Sequence, residues 1–391
     1  MLPRVKIDFL SGQLGKVGTS PDGLVALLIG ATAVGDTFEL GKSYSLRNYA
    51  DLQPLGITEE NNPDIERHVR AFYREAGDGK ELVICGADPA KKMAELCAKE
   101  EGAVRDLIER HSGALRAVFV SSSAGDSAPV TEGLSSDVFN SLAPAQELAE
   151  WATKELFAPL FIILDGRSYT GKSLRDLGKA KYNRVGVFVG DTEQTSKGSA
   201  LGVLAGRIAS APVQRNIGRV RDGALKPEAF YLGGKPVEEK SSAIAELHEK
   251  RYICPRRYVG RSGYFLADDN LAVEVTDDYA QIASRRVIDK AYRIAYDTLL
   301  DYLNDEIELN EDGTMNSAEL QSWEMTVEQA IDSAMTAKGE LSNDDGKGCS
   351  CYIDPSQNIA ESSTVKLSLK VRPHGYARYI DVDLGFQVNT K

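Results

Sequence analysis

Residues Gly166–Ser173 read GRSYTGKS and fit the phosphate-cradling pattern G-x-x-x-x-G-K-[ST]. A loop of this kind holds phosphate with consecutive backbone N–H groups, a helix N-terminus, a lysine on the outer phosphates and a hydroxyl on Mg²⁺. The apolar run Leu160–Leu164 precedes it, as the chemistry requires. A second strand-like run, Val185–Asp191 (VGVFVGD), ends in an acid and resembles a Mg²⁺-binding segment. Two features weaken the match. Gly178 interrupts the helix that Lys172 would open, and Asp191 follows Lys172 by only 19 residues. The same residues read as a strand–turn–helix connection rich in Gly, Ser and Thr, and that reading is preferred. A P-loop nucleotide-binding enzyme, an ATPase or kinase centred on Gly166–Ser173, is the alternative.

Two further stretches carry metal-ligand types. Glu308–Glu319 (ELNEDGTMNSAE) follows EF-hand spacing, with oxygens at Glu308, Asn310, Asp312, Asn316 and Glu319 and glycine at Gly313. Its first position is Glu rather than Asp, and the run reads equally as a turn with Asn316 or Ser317 capping the next helix. Cys349-Ser-Cys351 pairs two thiols, but the four histidines (68, 111, 248, 374) have no ligand-like spacing to it. These read as ordinary thiols in a Gly/Ser-rich loop. No nucleophile elbow such as G-x-S-x-G stands out. No catalytic, cofactor-binding or metal-binding residue is assigned, and the chain is expected not to be an enzyme.

The elements that would position such residues fall into two textures. From Leu24 to about Gly206, short apolar runs (Leu24–Ile29, Glu81–Cys85, Leu115–Val120, Leu160–Leu164, Val185–Val189) alternate with helical stretches (Asp64–Glu75, Ala90–His111, Ala143–Leu156). That alternation predicts a mostly parallel, doubly wound α/β sheet over 26–206. Residues 207–275 are richer in glycine turns. A long amphipathic helix is predicted over Asp278–Leu303, with Val287, Ala291, Ile294 and Ala295 on one face and Arg286, Asp289, Lys290, Arg293 and Asp297 on the other. A second helix is predicted over Ser317–Lys338, and residues 207–376 read as an α+β domain.

Both ends read as strands. Val5, Ile7 and Phe9 alternate with Lys6 and Asp8 in an arm over 1–25; Ile380, Val382, Leu384, Phe386 and Val388 alternate with polar residues in an arm over 377–391. Termini fray unless paired. Such arms therefore invite strand exchange between subunits, or a local hairpin with Val365–Val371 in which Lys366, Lys370 and Arg372 face Asp381 and Asp383.

A formal charge of −12 over 391 residues argues against binding nucleic acid through general electrostatics. No apolar run approaches the about 18 residues of a membrane span, and Lys6 and Asp8 break what a signal peptide would need. Five cysteines without framework spacing fit a reducing compartment. The expectation is a soluble, intracellular, multi-domain protein.

Several segments carry a resemblance. Leu24–Gly30, Gly198–Ala209 (GSALGVLAGRIA), Arg256–Ala267 (RRYVGRSGYFLA), Arg285-Arg286 on the long helix, and above all Val371–Leu384 (VRPHGYARYIDVDL) resemble contractile tail sheath proteins of bacteriophages and phage-derived injection systems. The similarity is to a compact subgroup known from Bacteroides-type genomes. A departure is Tyr264-Phe265 where the family texture has Trp-Gly. The resemblance implies an α+β sheath assembly domain and a structural subunit that stacks with itself as six-fold rings around an inner tube and contracts to drive the tube through an envelope. It implies arms that donate strands to neighbours and no cofactor. It implies as partners the inner tube protein and baseplate or tail terminator proteins, and a place in a virion tail or phage-like particle assembled in the bacterial cytoplasm. Arg286, Lys290 and Arg293 become a candidate contact with an acidic tube.

Overall fold

The computed structural model describes residues 22–111, 113–382 and 384. The chain forms two compact units divided between Tyr296 and Asp297.

The first unit is built on a six-stranded sheet. Its strands are β1 (Val25–Gly30), β2 (Ser43–Leu46), β3 (Leu82–Ala87), β4 (Ala117–Ser121), β5 (Phe161–Asp165) and β6 (Val185–Phe188), in the order β2-β3-β1-β4-β5-β6. All five strands expected from apolar runs are present and mutually parallel, with Val25 opposite both Leu82 and Ala117, Ala117 opposite Phe161, and Ile162 opposite Val185. Continuous apolar runs suit strands covered on both faces, and VALLIG of β1 is buried almost throughout. β2 is an antiparallel edge strand, Ser43 opposite Cys85. Its sequence, SYSL, is too short and too polar to announce itself. The chain passes from β1 to β3 on one side, then back across to β4 on the other.

Helices α1 (Pro63–Ala76), α2 (Met93–Leu96), α3 (Ala103–Arg110), α4 (Ser136–Glu155) and α5 (Leu201–Ser210) join or flank the strands. The helix expected over Ala90–His111 is broken in two. Gly102 lies where an added Cβ would stand 2.3 Å from the Ala98 carbonyl, so the chain turns there. The exposed amides opening α2 find a carboxylate from α4: Asp137 accepts from the N–H groups of Met93 (2.9 Å) and Ala94 (3.2 Å). GSALGVLAGRIA contributes α5, and its glycines explain the texture. A Cβ on Gly202 would lie 2.0 Å from the His68 carbonyl oxygen, and one on Gly206 2.7 Å from that of Phe72. The two glycines, four apart, form the surface on which α1 packs.

The division expected at 206/207 is corrected. Residues beyond it carry α6 (Ser241–Glu249) and send Ile217, Leu225, Phe230, Tyr252, Ile253 and Leu271 into the same core as the strands. They add to it one side chain at a time from irregular turns, a pattern without periodicity. α7 (Ile282–Leu300) follows, shorter at both ends than its amphipathic pattern.

In the second unit, α8 (Ser317–Ala334) opens with Asn316 accepting from the Ala318 N–H at 2.9 Å, as its sequence suggests. A core of Met315, Leu320, Trp323, Ile353 and Ile359 sits beneath it. Strands β7 (Cys349–Ile353) and β8 (Leu367–Val371) pair antiparallel, Cys349 opposite Val371 and Ile353 opposite Leu367. One expectation is corrected here. Cys349 and Cys351 occupy a strand with alternating burial rather than a loop. Among the described residues β8 pairs with β7, whose CSCYI offers three inward side chains that α8 can cover.

Candidate functional site

The Gly166–Ser173 segment is not built to hold phosphate. The amides that would face the anion are spent on main-chain carbonyls: Gly166 donates to Phe188 (2.8 Å), Ser168 to Lys197 (2.6 Å) and Thr170 to Gly133 (3.0 Å). No α-helix opens at Lys172, which is exposed along with Ser173; the next turn is a 3₁₀ segment at Leu177–Lys179. Gly166 serves strand packing, since a Cβ there would come 2.4 Å from the Phe188 oxygen. Asp191 is no open metal ligand. Its carboxylate takes Arg67 Nη1 at 2.7 Å on both oxygens, Ser196 Oγ at 2.7 Å and the Thr192 N–H at 2.6 Å.

The calcium-like loop is likewise closed on itself. Asp312 accepts from the Thr314 N–H and hydroxyl, Asn310 donates to Thr314 and Met315, and Glu319 reaches back to the Glu308 N–H at 2.7 Å. Among the described residues no group of His, Cys, Asp and Glu converges as a metal site. Burial pushes the Cys349 and Cys351 thiols up, to about 12 and about 11, so both are protonated at neutral pH.

Sequence patterns missed a polar cluster at the carboxyl ends of β4 and β5. Asp165, 1% exposed, accepts from Ser121 Oγ (2.6 Å), Ser199 Oγ (2.8 Å) and Arg167 Nη1 (2.9 Å), while Arg167 forks onto Asp126 at 3.0 and 2.8 Å. Burial pushes the Asp165 carboxyl up, opposed by Arg167 and the two serines. Every oxygen is satisfied, so the cluster fastens strand ends to the start of α5. An acid closing an apolar run, FIILD, was the available signal.

Beside it His68 is buried, its Nδ1 accepting from the Gly202 N–H at 3.3 Å. Burial, helped by the Arg67 guanidinium, pushes His68 down to about 3. Below pH 6.5 the unfolded chain takes a proton that the folded chain refuses, so stability falls with falling pH, by about 1.4 kcal/mol per unit. Urea unfolding at pH 6.5 and 5.0 is expected to differ by about 2 kcal/mol from this group. The difference shrinks in His68→Gln; an unchanged slope in that variant would refute the assignment.

The basic residues of α7 do not form a solvated face. Arg286 and Lys290 are 4% and 7% exposed. Lys290 and Arg293 bind the Asp22 carboxylate at 2.6 and 2.9 Å, and Arg286 donates to the carbonyls of Ala211, Pro212 and Asp22. Burial opposes ionisation of the Asp22 carboxyl, but Lys290, Arg293 and Arg116 together hold it below the usual range. Asp289 faces Arg184 across two bonds of 3.0 and 3.1 Å and Arg285 at 3.2 Å. From Arg285 to Arg293 the polar side of the helix is thus an internal seam, while Asp297 beyond it is exposed.

The chain's end and the β7–β8 pair carry a different property. Ile380, Val382 and Leu384 are 76%, 75% and 95% exposed and lie outside any strand; Phe386, Val388, Val5, Ile7 and Phe9 lie outside the described residues. The two edges of the pair are unlike. On the β7 side, Glu324 accepts from the Ile353 N–H (2.6 Å), Glu328 from Cys351 (2.9 Å) and Asp332 from Gly348 (3.0 Å). These acids stand four apart on α8 and close that edge. On the β8 side the main-chain groups of Leu367, Leu369 and Val371 have no partner among the described residues beyond β7. Glu328→Ala should uncover the Cys351 amide and cost about 1–2 kcal/mol in a denaturant titration followed by Trp323 fluorescence.

Family models match the chain at residues 2–270, described as the DUF2586 N-terminal domain, and at 278–391, described as the DUF2586 C-terminal domain. The chain belongs to the DUF2586 family. The two matches meet close to the division between the compact units, not at 206/207. No curated protein sequence matches this DUF2586 chain. Among solved structures, a chain of the anti-feeding prophage baseplate, six-fold symmetrised, aligns over 99% of both chains with TM-score 0.64 and 13% identity. The contracted sheath complex of an extracellular contractile injection system, PVC, aligns over 99% of this chain and 98% of that one, with TM-score 0.57 and 13% identity. A sheath tail protein from Desulfitobacterium hafniense aligns over 90% and 94%, with TM-score 0.53 and 12% identity. The DUF2586 chain therefore has the fold of sheath proteins from phage tails and contractile injection systems. No helix among its described residues is long and apolar enough to cross a membrane.

Proposed function

We propose that this chain is the structural subunit of a contractile tail sheath, stacking as six-fold rings around an inner tube and shortening to drive the tube through a target envelope. The observation that carries the reading is the end-to-end fold match to the chain of a six-fold symmetrised contractile-particle baseplate, 99% of each chain. A match confined to the doubly wound α/β sheet would say little, since that sheet serves many proteins. Here both compact units and the last strand pair are included.

The exchange of strands has a physical basis in the unpaired row Ile380, Val382 and Leu384 and in the open edge of β8. An extended segment adds to such an edge through main-chain hydrogen bonds, which survive rotation of the bodies if flexible linkers flank it. Phe386 and Val388 would extend the donated strand, and Val5, Ile7 and Phe9 would form a second one. A tube contact by Arg286, Lys290 and Arg293 would need those side chains to leave Asp22, so the reading assigns the contact to no particular residue. The subunit has no catalytic step and needs no cofactor; its partners are further copies, the tube, and the baseplate and terminator proteins of a particle assembled in the bacterial cytoplasm. Electron micrographs of the purified chain are expected to show rings or tubes with six-fold symmetry. A monodisperse monomer at every concentration and salt tested would overturn the reading.

A further inference from the structure

The charges of this chain are unevenly distributed. From Ile294 to Ala337 there are eleven acids and no basic residue, which nearly equals the net −12 of the whole chain. Within that run Asp301, Asp305, Glu306, Glu308, Glu311 and Asp312 are exposed, and no ion pair among the described residues uses any of them. The first unit carries the opposite feature. An open groove of 540 Å³ is lined by Arg256, Arg257 and Arg261 against the single carboxylate of Glu238. Of the three arginines only Arg257 binds that carboxylate, at 3.0 Å, and the same oxygen also accepts from the Tyr264 hydroxyl. Arg256 lies over the Tyr258 ring at 4.1 Å with its Nε buried and unbonded, and among the described residues Arg261 has no side-chain partner. Val259 stands fully exposed between them. Two glycines in left-handed conformation, Gly260 (φ +76°) and Gly263 (φ +84°), hold this turn out from the body.

We infer that this groove is an interface between copies, and that its occupant is the acidic segment 301–312 of a second chain. The segment interleaves Leu303, Ile307 and Leu309 with its carboxylates, matching a groove that offers Val259 and the Tyr258 ring between guanidinium groups. Arginine forks bind carboxylates in pairs, and such contacts set partner register and the rate of encounter. The inference rests on the assembly reading above and adds a contact independent of the arms.

Charge reversal in trans tests it. One variant carries Arg257→Glu with Arg261→Glu, the other Asp305→Lys with Glu306→Lys; all four side chains are exposed. Each variant alone is expected to raise the critical concentration for assembly about ten-fold or more, because the contact becomes repulsive. An equimolar mixture is expected to return toward the unaltered value, since each altered surface then meets its complement. That recovery also shows that both variants are folded. If each variant assembles like the unaltered chain, or if the mixture does no better than its components, the inference is overturned while the assembly reading stands. If the unaltered chain itself does not polymerise, both fall.

Discussion

Removing residues 377–391 is expected to abolish tubes and rings while leaving the monomer's unfolding free energy unchanged to within about 0.5 kcal/mol. The second half follows from exposure. Tyr379, Ile380, Val382 and Leu384 are 75–95% exposed and support nothing in the isolated chain. The first half follows from what they gain in an assembly. Burying Ile380, Val382 and Leu384 against a neighbour is worth roughly 1.5–3 kcal/mol each, and each main-chain bond to the open β8 edge adds about 0.5–1.5 kcal/mol. Immobilising the chain offsets part of this, yet losing the remainder should raise the critical concentration by about a hundred-fold or more. Sedimentation velocity and micrographs of the truncated chain read both effects together. Tubes of normal length from the truncated chain would exclude this arm as the link between subunits.

Asp289→Ala should be the most damaging single substitution within the first unit, lowering its stability by about 3–5 kcal/mol. Asp289 is the shared counter-ion of two buried guanidiniums, Arg184 before β6 and Arg285 in the first turn of α7. Burial already depresses Arg285 below the usual arginine range, against the pull of Asp289, so removal of the carboxylate leaves two cations without a solvent. The geometry also ties α7 to the edge of the sheet. Loss of the pair should therefore appear as earlier melting of the whole first unit, measured by calorimetry. Asp289→Asn, which keeps the shape and part of the hydrogen bonding, should cost less. Equal melting of Asp289→Ala and the unaltered chain would mean that water reaches the seam.

Local patterns read well where one side chain's environment depends on its near neighbours in sequence. The parallel strands were legible because a strand covered on both faces must be apolar at every position, as VALLIG and FIILD are. The helices α1 and α8 were legible, the latter with its cap Asn316, whereas α4 was legible only from Ala143 and in fact begins at Ser136. P-loop and calcium spacings were legible too, but as patterns of residue type only. Whether an amide is free to meet phosphate depends on who else claims it, and at Gly166, Ser168 and Thr170 the claimants are Phe188, Lys197 and Gly133.

The parallel strands, the principal helices and the resemblance to sheath proteins were therefore legible in the sequence alone. The tertiary structure alone decided three things: that Arg286, Asp289 and Lys290 of α7 face inward, that α8 closes one edge of the last strand pair while β8 has no second partner among the described residues, and that residues 207–275 belong to the first core. Each depends on pairs far apart in the chain, such as Asp22 with Lys290 or Arg184 with Asp289. A buried charge is affordable only when its partner is already in place, and no local spacing records where that partner will be.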